Sequence, residues 1–255
     1  MVALNDAIEI TVADDVLAGT LMTPKSKIPG VLFIHGWGGD QAFDLKRASG
    51  IAGLGCVCLT FDLRGHAATE AQRQRVSRDD NLHDVMAAYD RLIEHPAVQS
   101  GEIAVVGSSY GAYLASILTE LRKVRWLALH VPALYLDDEW FRPKNQLNRE
   151  VLRAYRSDYV APEANRALSA CATFAGDVLI VESEQDDYIP HSTIMSYRSA
   201  FRRAHSMTHR IIDGADHALT QKTAQRAYTS VLVNWVTEMV MGARTGASPT
   251  LRSAP

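Results

Sequence analysis

The sequence predicts an α/β fold: a mainly parallel sheet flanked by helices, with a small helical cap inserted near one edge. Three observations carry this. Short continuous apolar runs recur, such as Val31-Leu32-Phe33-Ile34 and Val178-Leu179-Ile180-Val181, the pattern of strands covered on both faces. Segments with helical periodicity alternate with them, so successive strands run parallel through crossover helices. One connection, Pro132 to Gly176, has no strand signal and is about twice as long as the others, which marks an insertion over the ligand-binding edge of the sheet.

In chain order, residues 8–22 alternate apolar and polar around Asp14-Asp15, which suits an antiparallel hairpin with one wet face. Parallel strands are then expected at 31–34, 56–61, 103–106, 126–131, 178–181 and 207–212. The intervening helical segments are 43–54, 80–94, 112–121, 192–204 and 220–241. This makes one domain, 1–241, with the cap at 132–176. Residues 242–255 are small, polar and aperiodic, and a disordered tail is expected there.

With 47% hydrophobic and 22% charged residues over 255 positions, the chain has the composition of a globular protein. A net charge of −3 excludes a broad surface for nucleic acid or anionic membrane, because no basic excess is present to neutralise phosphates. Three cysteines are too few for a disulfide framework, and Cys56 and Cys58 read as buried thiols in a reducing compartment. No signal peptide and no run of about 18 apolar residues is present, so a cytoplasmic protein without a membrane partner is expected.

The chemistry starts at Gly107-Ser108-Ser109-Tyr110-Gly111, between the run 103–106 and the helical segment that follows. In that setting G-x-S-x-G is a nucleophile elbow, which leaves the Ser109 hydroxyl exposed at a strand tip beside a helix N-terminus. A serine needs a positioned base, and the base needs an orienting carboxylate. His217, in a Gly-containing loop between the last strand and the last helix, is the candidate base among nine histidines. Asp186 or Asp187, just beyond the strand 178–181, is the acid. The aromatic residues of the insertion mostly build its own small core, and Tyr135, Trp140 and Phe141 are the candidates to line a substrate pocket. Neither H-E-x-x-H, a zinc-spaced Cys/His cluster nor a P-loop lysine occurs, so no metal or other cofactor is expected.

Four motifs stand in order: His35-Gly36-Trp37-Gly38-Gly39, Phe61-Asp62-Leu63-Arg64-Gly65-His66, Gly107 to Gly111, and Asp186-Asp187-Tyr188-Ile189-Pro190 followed by His217. With Ser109, Asp186 and His217 in that chain order, the sequence resembles the α/β-hydrolase superfamily, and within it the group of dienelactone hydrolases, serine-aminopeptidase-like enzymes and cinnamoyl esterases. The resemblance implies an α/β-hydrolase fold and an oxyanion hole formed by the backbone N–H groups of Trp37 and Tyr110. Its D-x-x-[IV]-P pattern selects Asp186 as the acid. Relatives often continue R-G-H-G, whereas Ala67 follows His66 here, so a differently shaped loop is expected. The function implied is a serine hydrolase cleaving the ester of a small or medium acyl or aryl substrate through an acyl-enzyme. The alternatives are aminopeptidase-like or amide hydrolysis, with Asp137-Asp138-Glu139 receiving an amine, and a non-catalytic ligand-binding scaffold.

Overall fold

The computed structural model describes residues 4–23 and 28–245. Its eight strands are β1 (Leu4–Val12), β2 (Asp15–Thr23), β3 (Ile28–Ile34), β4 (Val57–Phe61), β5 (Val98–Ser108), β6 (Trp126–His130), β7 (Asp177–Gln185) and β8 (Ser206–Asp216). They form one sheet in the order β1-β2-β4-β3-β5-β6-β7-β8. The β1/β2 and β2/β4 pairs are antiparallel, and every later pair is parallel. Each residue of β3, β4 and β6 is buried, as their unbroken apolar runs require of strands sandwiched between helix layers.

Among the described residues, seven α-helices complete the fold: α1 (Ala42–Gly53), α2 (Arg78–Ile93), α3 (Tyr110–Leu121), α4 (Arg149–Ser157), α5 (Arg166–Thr173), α6 (His191–Ala200) and α7 (Lys222–Thr245). Two apolar cores result. One joins the sheet to α2, α3, α5 and α6, the other to α1 and α7. Helix α2 starts at a reciprocal cap: Ser77 Oγ accepts from the N–H of Asp80, whose carboxylate accepts from the N–H of Ser77. This satisfies two otherwise orphaned donors and fixes where the helix begins.

The long connection is helical, as expected. It holds α4, α5 and 3₁₀ turns at Asp137–Glu139, Lys144–Gln146 and Pro162–Ala164, and the sheet resumes at Asp177. Element boundaries differ from the sequence expectation by up to five residues, and two of the shifts are instructive. Strand β5 starts at Val98 rather than Ile103, because its polar first half extends past the buried region. Helix α7 continues to Thr245 instead of yielding to a tail at 242; the rest of the expected tail, 246–255, lies outside the described residues. Among the described residues, no helix is long and apolar enough to cross a membrane.

Candidate active site

Ser109 occupies a strained turn between β5 and α3, with φ 52° and ψ −110°. Such a conformation persists only where the surroundings enforce it, and the two flanking glycines are what allow it. A Cβ at Gly111 would lie 2.1 Å from the Ile34 carbonyl oxygen, and one at Gly107 would lie 2.6 Å from the Ala112 Cα. Backbone therefore packs on backbone on both sides of the serine. The Ser109 N–H donates to the His130 carbonyl at 2.8 Å, which fixes the turn to the neighbouring strand.

Two distant segments meet at this turn. The loop leaving β8 carries His217, whose Nε2 stands 3.0 Å from Ser109 Oγ. Its Nδ1 is 2.6 Å from Asp186 Oδ2. Since a carboxylate only accepts, Nδ1 carries the proton and Nε2 presents a lone pair to the serine hydroxyl. Asp186 is itself held, because its Oδ1 accepts from the N–H groups of Tyr188 and Ile189, each at 2.8 Å. Its side chain is 2% exposed. Of the two candidate acids, the geometry thus joins Asp186 to the imidazole, and Asp187 is exposed.

The loop 35–39 faces the serine, and Trp37 borders the same cavity. Tyr110 is the first residue of α3, and its N–H precedes any intrahelical acceptor. Two neutral imidazoles brace the loop. His35 Nε2 accepts from the Leu63 N–H at 3.0 Å, and His66 Nε2 accepts from the Gly38 N–H at 3.0 Å. Burial lowers the pKa of both, that of His66 to about 4. Gln41 secures the end of the loop: its N–H and side-chain amide donate to the Asp62 carboxylate at 2.8 and 3.0 Å. Its amide also donates to the Ala18 carbonyl, and its Oε1 accepts from the Thr20 and Thr60 hydroxyls. The motif 61–66 is therefore the support of the loop, a role that its residue types alone do not announce. After it Ala67 takes φ 46°, in a region that glycine occupies more readily.

A cavity of about 200 Å³ opens at Ser109 and His217 and runs toward α1 and α7. Its wall contains three residues without a sequence signal: Phe43, Arg47 and Tyr228. The Arg47 guanidinium donates to Asp44 at 3.0 Å and lies 4.7 Å from the Tyr228 ring centroid. His130, below the serine, is stacked on Tyr228 at 4.4 Å. Burial, reinforced by His217, lowers its pKa to about 3, so it is a neutral support and not a second base.

The three expected substrate contacts are elsewhere. None of Tyr135, Trp140 and Phe141 borders this cavity. Tyr135 and Trp140 are buried on the α2/α3 side, where the Trp140 indole N–H donates to Asp79 at 2.7 Å, while Phe141 is 76% exposed. Indole and phenol rings bring large apolar area to the small core beneath the insertion, and this decides their position. The acidic cluster is engaged as well, Asp137 with Arg166 and Glu139 with Arg142. Among the described residues, no three His, Cys, Asp or Glu side chains are grouped to hold a metal ion.

Comparison with known proteins bears on the family and the fold. The model of the prolyl oligopeptidase family matches residues 41–242. An uncharacterized protein of Mycobacterium tuberculosis is 26% identical over 212 residues, 82% of this chain and 70% of its own length. Among solved structures, dienelactone hydrolase from Anabaena variabilis has a TM-score of 0.67 at 18% identity, covering 93% of this chain and 99% of that one. Est1E from Butyrivibrio proteoclasticus, with ferulic acid bound, has a TM-score of 0.69 at 18% identity, covering 92% and 98%.

Proposed function

This chain belongs to the prolyl oligopeptidase family, with the α/β-hydrolase fold of the serine hydrolase superfamily, and on that premise we propose that it cleaves carboxylic esters through an acyl-enzyme on Ser109. One observation carries the reading: the hydrogen-bonded series Asp186, His217, Ser109, with separations of 2.6 and 3.0 Å. Ser109 Oγ attacks the ester carbonyl carbon while its proton passes to His217 Nε2, and Asp186 keeps the imidazolium in place. The oxygen that becomes negative is received by the backbone N–H groups of Trp37 and Tyr110. Collapse of the tetrahedral adduct breaks the bond to the alkoxy oxygen, which takes the proton from His217. Water then repeats the sequence on the acyl-enzyme and releases the acid. The cavity is below the 300–1,000 Å³ usual for drug-sized ligands, which favours a small acyl group.

Amide hydrolysis is the second reading, and the family match is what favours it. A fluorophosphonate probe tests the shared first step: labelling of the native protein that disappears in Ser109→Ala is expected. Absence of labelling would favour a binding scaffold without turnover. Rates on p-nitrophenyl esters against aminoacyl amides then separate esterase from peptidase.

A further inference from the structure

Beside the proposed oxyanion donors lies a cluster of cations that the mechanism does not use. Lys144 Nζ stands 4.6 Å from the ring of Trp37, 5.2 Å from that of Tyr110 and 5.0 Å from that of Tyr135. Arg156 and Arg78 approach the same Tyr135 ring, at 4.8 and 5.5 Å. Arg78 is wholly buried. Its Nη1 donates to the Leu136 carbonyl at 2.8 Å, whereas its Nε and Nη2 are approached by the buried hydroxyl of Tyr113 without completing a hydrogen bond of ordinary geometry.

The nearby carboxylates are engaged elsewhere. Asp137 pairs with Arg166, Asp79 accepts from Trp140, and Asp84 pairs with Arg64. Among the described residues, none of Arg78, Lys144 and Arg156 forms an ion pair. A buried guanidinium without a counter-ion is a costly arrangement, and it is tolerated where an anion completes it. Burial also lowers the pKa of the Lys144 ammonium, although the phenol of Tyr135 opposes the effect.

We propose that this cluster is a carboxylate subsite: Lys144 and Arg156 receive the carboxylate of an ester whose scissile carbonyl lies at Ser109, with Arg78 behind them as the buried source of positive potential. Trp37 connects the two places, since it borders the Ser109 cavity while its ring lies under Lys144. The aromatic walls suit a carboxylate borne on a planar carbon skeleton. The substrate class is therefore an acidic ester, cleaved at a bond near its carboxylate. The inference rests on the hydrolase reading above.

The test compares 3- and 4-acetoxybenzoate with the corresponding acetoxybenzamides, which carry the same acetyl ester without the charge. For at least one isomer, kcat/KM is expected to be tenfold or more higher for the acid, and the advantage should shrink with added sodium chloride. In Lys144→Met and Arg156→Gln the acid-to-amide ratio should fall toward one, while Lys144→Arg should retain most of it. Equal rates for acid and amide in both isomers would overturn the subsite, as would a preference that survives in the Lys144→Met, Arg156→Gln double variant. Calorimetric titration of 4-hydroxybenzoate into Ser109→Ala decides the matter without turnover: binding lost in Lys144→Met supports the subsite. Competition by inorganic phosphate with no binding of 4-hydroxybenzoate would also overturn it. Fluorophosphonate labelling without any acid preference would refute the subsite alone, whereas absence of labelling would refute the hydrolase reading and leave the titration to judge the subsite.

Discussion

Asp186→Asn isolates what the carboxylate does. In the native site one oxygen of Asp186 accepts two backbone N–H groups and the other accepts from His217 Nδ1. An asparagine fills the same volume, and its Oδ1 can keep both backbone bonds. Its amide nitrogen, however, now faces Nδ1 as a donor. The imidazole must answer with the tautomer protonated at Nε2, which cannot accept the serine proton 3.0 Å away. Loss of the correct tautomer costs about 10⁴ in kcat where it has been isolated in a serine triad, equivalent to about 5.5 kcal/mol of barrier at ~1.36 kcal/mol per factor of ten. Stability should change by only about 1 kcal/mol, because one hydrogen bond becomes uncharged and none is lost. The assay is kcat on p-nitrophenyl butyrate together with a urea unfolding curve, and Asp187→Asn serves as the exposed control. A fall in kcat below tenfold for Asp186→Asn, or an equal fall for Asp187→Asn, would refute the assignment.

Two further outcomes are expected. Gly111→Ala places a Cβ 2.1 Å from the Ile34 carbonyl oxygen, so unfolding free energy should drop by at least about 3 kcal/mol; a melting temperature within 2 °C of the native protein's (about 1 kcal/mol or less at this chain length) would contradict the close packing at the elbow. His66 is held neutral down to about 4 chiefly by burial, with the neighbouring His35 ring adding to the effect, whereas in the unfolded chain it titrates near ~6.5. Below that value the unfolded state takes up a proton that the folded state refuses, so stability present above it is lost as pH falls toward 4. For one such group the loss is on the order of 3 kcal/mol over the window. His66→Gln should therefore lose less stability than the native protein between pH 7 and pH 4.5, measured by urea midpoints; parallel curves would show that His66 is not the group concerned.

Most of the fold was legible because it rests on local pattern. The runs 31–34 and 178–181 can be buried on both faces only in a parallel sheet, and the elbow glycines stand beside the serine that they serve. His217 and Asp186 were legible because each follows a strand, where the chain must reach the same rim. The cavity wall was not. Arg47 and Tyr228 sit on helices 181 positions apart, and nothing in either helix states that the two pack together on one side of the sheet. The same holds for Tyr135 and Trp140, whose positions depend on Arg78 and Asp79 more than 50 residues earlier in the chain. Burial of the Lys144 stem beneath aromatic rings likewise arises only once α2, α3 and the insertion have come together.

The hydrogen bonds of Gln41 tie the catalytic rim to the N-terminal hairpin. Two of its contacts, Thr20 and Ala18, lie on β2, outside the 41–242 span matched by the family model. A chain trimmed to that span would keep serine, imidazole and carboxylate yet be deprived of His35 to Gly39 altogether. Trimming only the hairpin would leave that loop without part of its anchor. A partial chain that looks complete by its serine, imidazole and carboxylate would keep the Tyr110 N–H but lack that of Trp37, one of the two proposed oxyanion donors, and with it the first antiparallel ribbon that anchors its loop.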